Sequence, residues 1–86
     1  DLYGLGAVLY RLFTGRPPFV GSYDEVRAGV LEGTPTPPTT HDASLPDPLD
    51  DILVKALAKQ KLMRYESAGQ LHTDLRRVCE RSGYRV

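Results

Sequence analysis

An all-α fold is what this sequence of 86 residues predicts. Three observations carry that reading. A nearly all-apolar run at helical spacing opens the chain and stops at a glycine, two Ser-x-x-Glu/Gln signatures mark further helix starts, and no alternating stretch is strong enough to count as a strand. The expected architecture is about four helices with a Pro-rich connector.

The first helix begins at Asp1 and runs to Thr14, closed by Gly15 and then by Pro17 and Pro18. Leu2, Leu5, Leu9, Leu12 and Phe13 form one stripe, and Tyr3, Ala7, Val8 and Tyr10 fill much of the remaining circumference. Few positions are left to face water, so the helix is expected to be buried on several sides. Ser22-Tyr23-Asp24-Glu25 is a capping-box pattern that opens a second, short helix carrying Val26, Val30 and Leu31 and ending at Gly33. From Thr34 to Pro46 the prolines at 35, 37 and 38 block regular hydrogen bonding, which predicts an extended surface connector. Asp47-Pro48-Leu49-Asp50 reads as an N-cap, a proline in the first turn and an acidic start, followed by Leu49, Ile52, Leu53, Ala56 and Leu57 on one face. After a loop from Lys59 to Glu66, a second capping box, Ser67-Ala68-Gly69-Gln70, starts the last helix with Leu71, Leu75, Val78 and Cys79 inward. The amphipathic helices from Asp47 and Ser67 are expected to cover only part of the first one.

Eleven Lys+Arg balance eleven Asp+Glu, so no whole-chain field draws this sequence to nucleic acid or to an anionic membrane. Arg76, Arg77, Arg81 and Arg85 cluster near the C-terminus, but Asp74 and Glu80 interleave with them, as on the solvated face of a helix. One cysteine, Cys79, excludes an internal disulfide framework and a cysteine-based zinc site, and its apolar stripe favours packing over reactivity. No apolar run reaches the length of a membrane span and no signal peptide is present, so a cytoplasmic location is expected. A single domain of this size buries only about 60% of the surface its unfolded chain exposes, and is marginal alone.

Catalytic readings of individual residues fail on context. Gly4-Leu5-Gly6 has no preceding strand and no third glycine, and its neighbours belong to the helical stripe, so it is not a phosphate loop. Val54-Lys55 sits in a capped helix rather than on a strand, and His41-Asp42 lacks the following Arg and the downstream Asn of a catalytic loop. His41 and His72 stand alone, Ser44 has no nucleophile-elbow context, and Ser67 is explained as a cap. Asp50 and Asp51 are adjacent on a helix, do not face each other, and suit the positive end of its dipole.

Two segments nevertheless resemble the C-terminal lobe of eukaryotic-type protein kinases. Asp1-Leu2-Tyr3-Gly4-Leu5-Gly6, with Thr14-Gly15-Arg16-Pro17-Pro18-Phe19 closing the run, is similar to that lobe's central helix. Leu57-Ala58-Lys59-Gln60-Lys61-Leu62-Met63-Arg64-Tyr65-Glu66-Ser67-Ala68 is similar to the family's Leu-x-Lys-Asp-Pro-x-x-Arg stretch, at the expected distance. Ser67-Ala68-Gly69-Gln70-Leu71, followed by Asp74-Leu75-Arg76-Arg77, looks most like the bacterial serine/threonine branch. Gln60, Lys61 and Gly4 depart from the usual Asp, Pro and Ser or Ala, while Arg64 stays in register.

The resemblance implies that residues 1–86 form part of a serine/threonine kinase domain, without its N-lobe, catalytic loop or activation segment. The parent would transfer a phosphoryl group from ATP with Mg²⁺ to protein substrates, and this chain alone, lacking every catalytic motif, would be inactive. Asp1 would hold the catalytic loop, and Arg64 would pair with the glutamate of the Ala-Pro-Glu motif that ends the activation segment. With that partner outside the chain, Arg64 is expected to relax toward solvent. Tyr23, Val26, Arg27 and Val30 would contribute to substrate docking, and the remainder of the kinase domain would be the main partner. The alternative is a non-catalytic helical binding module derived from a degenerate kinase.

Overall fold

The computed structural model describes residues 1–83. Among them are five α-helices: α1 (Leu2–Thr14), α2 (Tyr23–Glu32), α3 (Pro38–His41), α4 (Pro48–Ala56) and α5 (Ala68–Ser82), with a 3-10 turn at Lys61–Met63 before α5. No strand occurs among the described residues. The expected all-α fold is therefore present, with two short helical turns that the sequence did not suggest, α3 and the 3-10 turn. Arg85, expected beside Arg76, Arg77 and Arg81, lies outside the described residues.

α1 starts where Asp1 caps it, its carboxylate accepting from the Gly4 amide, and stops where Gly15 turns left-handed (φ 78°) and donates to the Arg11 carbonyl. Its buried face shares Leu2, Leu9 and Phe13 with the stripe read from the sequence but is rotated away from Leu5 and Leu12. Gly6, Tyr10 and Phe13 point into the core with Leu2, Tyr3, Ala7 and Leu9 beside them, whereas Leu5, Val8 and Leu12 are exposed. Gly6 explains the rotation. A Cβ there would lie 3.0 Å from the Ala56 Cβ and 3.3 Å from the Ala56 carbonyl carbon, so α4 approaches α1 along the side where Gly6 has no side chain. The expectation of a helix covered on several sides is corrected accordingly: α4 and α3 cover one face.

The Thr34–Pro46 segment is not a simple surface connector. Pro35, Pro38 and Leu45 are buried, and Pro38 starts the single turn of α3, its missing N–H being no loss in a first turn. Asp50 of α4 anchors that turn, accepting from the Thr39 amide at 2.9 Å and its hydroxyl at 2.6 Å. The fully buried Tyr10 reaches the same segment from α1, donating from its hydroxyl to the Thr36 carbonyl at 2.6 Å. His41 meets the Tyr10 ring edge-on, 6.2 Å between centroids.

Asp47 does not cap α4: its backbone is already helical (φ −54°, ψ −43°) and its side chain makes no capping bond. The turn is entered instead through the Leu49 and Asp50 amides, which donate to the Pro46 and Asp47 carbonyls. Leu49, Ile52, Leu53 and Ala56 are buried as expected. Ser22 and Glu25 complete the capping box of α2. At α5 only half of a box forms, Ser67 Oγ accepting from the Gln70 amide at 3.2 Å. Leu71 is buried and Leu75 and Val78 pack on the core, while Cys79 is half-buried with a free thiol.

Candidate functional site

The two residues singled out for supporting roles, Asp1 and Arg64, line one cleft of about 400 Å³ together with Leu2, Lys61, Leu62, Tyr65 and Glu66. They are brought together because α1 begins over the segment that joins the 3-10 turn to α5. One Asp1 oxygen caps α1, and a carboxylate has a second oxygen to offer. The helix cap and a contact to another segment are therefore compatible.

Arg64 does not relax toward solvent. It is half-buried, its guanidinium carbon 5.9 Å from the centre of the Tyr3 ring and its Nη2 donating at 3.4 Å to the Lys59 carbonyl. Its Nε is buried without a hydrogen-bond partner. A long cation–π contact with Tyr3 helps keep the side chain in place when no carboxylate of the described residues pairs with it. Leaving a buried guanidinium nitrogen without an acceptor costs stability, and Arg64 also lines the cleft with other atoms.

Sequence reading missed the residues that hold Arg64. Lys59 Nζ lies 3.3 Å from the Tyr3 hydroxyl, 5.2 Å from the Tyr3 ring centre and 4.7 Å from that of Phe19. It joins the end of the α4 region to both ends of the α1 segment. The signal was present, since Lys59 and Phe19 belong to the quoted motifs, but nothing in their spacing revealed that they meet.

Tyr65 is buried beside the cleft, donating to Asp74 Oδ2 at 2.8 Å with Lys55 Nζ 4.3 Å from its ring centre. Burial pushes its hydroxyl well above the ordinary value near 10, and the hydrogen bond and charge of Asp74 push it further. Lys55 is thus exposed, as expected, and also lies over an aromatic face. Tyr10 is raised as well, first by burial, with Arg16 opposing and Asp50 adding.

The docking candidates all stand on α2. Tyr23, Arg27 and Val30 are exposed and Val26 is half-buried, and no residue of this helix is fully buried. The Phe19 ring lies against α2 at Gly29 and against the Gly33 that ends it.

Gly4 and Gly6 lie within α1, where Gly6 is closed off by Ala56, so their amides cannot form a phosphate cradle. Among the described residues no group of three or more His, Cys, Asp or Glu could hold a metal ion. No described helix is long and apolar enough to cross a membrane.

The described residues form an all-helical unit, which matches what the resemblance to a protein-kinase C-terminal lobe implies. Similarity to known proteins agrees. The chain is 41% identical over 86 residues to serine/threonine-protein kinase PknB of Mycolicibacterium smegmatis, covering 93% of this chain and 13% of that protein. It is 39% identical over 84 residues to PknB of Mycobacterium leprae, covering 91% of this chain and 13% of that protein. It is also 41% identical over 76 residues to a Bifidobacterium longum protein named probable serine/threonine-protein kinase PknB, covering 87% of this chain and 11% of that protein. No family model matches the chain. The chain is thus similar to one segment of bacterial serine/threonine-protein kinases, and it spans about an eighth of the length of the curated relatives it matches.

Proposed function

We propose that this chain is the supporting and docking part of a serine/threonine kinase C-lobe, in a parent that transfers the γ-phosphoryl group of ATP to protein hydroxyls with Mg²⁺. Asp1 steadies the catalytic loop through its second carboxylate oxygen. Arg64 receives the glutamate that ends the activation segment, and α2 presents Tyr23, Val26, Arg27 and Val30 to protein substrates. The observation that carries this reading is that Arg64, half-buried and with its Nε unpartnered, lines the same cleft as Asp1.

The test is phosphoryl transfer by the complete parent protein. Arg64→Ala is expected to abolish most activity, and Arg64→Lys to restore little, because a point charge does not replace a planar fork. Exchanging Arg64 with the upstream glutamate should recover part of the loss. Tyr23→Ala with Arg27→Ala should raise KM for a protein substrate and leave KM for ATP unchanged. Full activity in Arg64→Ala would overturn the supporting role, and an unchanged protein-substrate KM would overturn the docking role.

A further inference from the structure

α5 carries two arginines that the kinase reading does not use. Arg77 and Arg81 are one helical turn apart, both exposed, and neither pairs with a carboxylate among the described residues. The neighbouring row behaves differently: Arg76 Nε donates to Glu80 Oε1 at 2.8 Å, so the nearest acid on the helix is already engaged. Like charges at i and i+4 weaken a helix rather than support it. Arg81 complements the dipole at the end of α5, but its spacing from Arg77 adds repulsion rather than support.

These arginines border a groove of about 200 Å³ whose other walls are Pro46, Pro48, Val78 and Ser82. The walls are largely apolar, and the volume suits one aliphatic side chain. Asp47 lies between the two prolines in sequence but pairs with neither arginine, so the groove keeps an excess of positive charge. Val78 packs against the core and the prolines belong to a turn closed by the Leu49 amide on the Pro46 carbonyl, which makes the floor rigid.

We infer that this groove docks an acidic peptide segment, Arg77 and Arg81 meeting carboxylates on either side of an apolar residue seated against Pro46, Pro48 and Val78. A guanidinium fork matches a carboxylate through two parallel hydrogen bonds, and arginine clusters beside an apolar floor are a recurring way of recognising acidic motifs. A concave notch between a helix and a proline turn favours a peptide over the flat face of a membrane. The site is remote in sequence from Asp1, and its occupation is read by binding rather than by catalysis, so it stands or falls separately from the kinase reading.

The experiment is fluorescence anisotropy of a labelled Glu-Asp-Leu-Glu-Glu-Leu peptide with the complete protein. Saturable binding that weakens as salt rises is expected. Arg77→Glu with Arg81→Glu should weaken it by roughly tenfold or more, the scale of losing charge-assisted contacts. Swapping the adjacent pair, Arg76→Glu with Glu80→Arg, preserves helix and net charge and should leave binding unchanged. The Gln-Asn-Leu-Gln-Gln-Leu peptide should not bind. Equal binding by the double-glutamate variant would overturn the proposal, as would an equal loss in the swapped variant. Binding of only a phosphorylated peptide, or only of anionic phospholipid vesicles, would also overturn it.

Discussion

The Phe19 ring fills the notch that Gly29 leaves on α2: a Cβ at Gly29 would lie 2.5 Å from Phe19 Cδ1 and 2.7 Å from its Cγ. The ring also lies under Lys59, whose ammonium is 4.7 Å from its centre. One aromatic side chain thus links α2 to the segment that carries Arg64.

Gly29→Ala is expected to displace Phe19 and loosen α2, since the clash is with a ring packed on both sides. Hydrogen exchange at the α2 amides should accelerate while those of α4 stay protected. Unchanged protection of α2 would show that the ring can yield without releasing the helix.

At the junction of α1 and α4, Gly6→Ala should destabilise the fold by about 1–3 kcal/mol, the usual range for overpacking, because the clashing atoms include Ala56 backbone. Gly69→Ala is the contrast. Its new Cβ would meet only Ser67 Oγ at 3.6 Å, and α5 should gain up to about 1 kcal/mol from the better helix former. Urea denaturation of both variants checks the pair, and equal effects would refute the close approach of α1 and α4.

Tyr65→Phe removes the bond to Asp74 and should cost about 1 kcal/mol near neutral pH, measured by the same denaturation. The sign of the pH dependence follows from the raised hydroxyl. Unfolded chains release the tyrosine proton from about pH 10 upward, whereas the folded chain keeps it, so the contribution is complete below pH 10 and is lost as pH climbs beyond it. Tyr65→Phe should therefore flatten the loss of stability above pH 10, with Tyr10 supplying what slope remains. An unaltered slope would mean that Tyr65 ionises alike in both states.

The helices were legible wherever a cap and a period agreed, as at Ser22–Glu25 and along Leu49, Ile52, Leu53 and Ala56. Reading failed where partners distant in the chain decide the outcome. Thr39 takes its helical turn because Asp50 holds its amide and hydroxyl, which no local pattern announces. The face of α1 was misjudged because hydrophobicity favoured Leu5 and Leu12, whereas the absence of a side chain at Gly6 decided which side α4 could reach. Motif register singles out Asp1 and Arg64, but their common cleft and the contact of Arg64 with the Tyr3 ring depend on side-chain geometry that spacing alone does not contain.

The meeting of Gly6 with Ala56 closes a loop of roughly fifty residues, and chain entropy opposes such a closure before any contact compensates for it. α4 and α5 are separated by a short segment and pack directly, so they can assemble while α1 is still searching. α1 would then arrive late, on a surface already built. Its seating belongs to the descent from the folding barrier rather than the climb, and a flaw at Gly6 would hasten unfolding far more than it would delay folding.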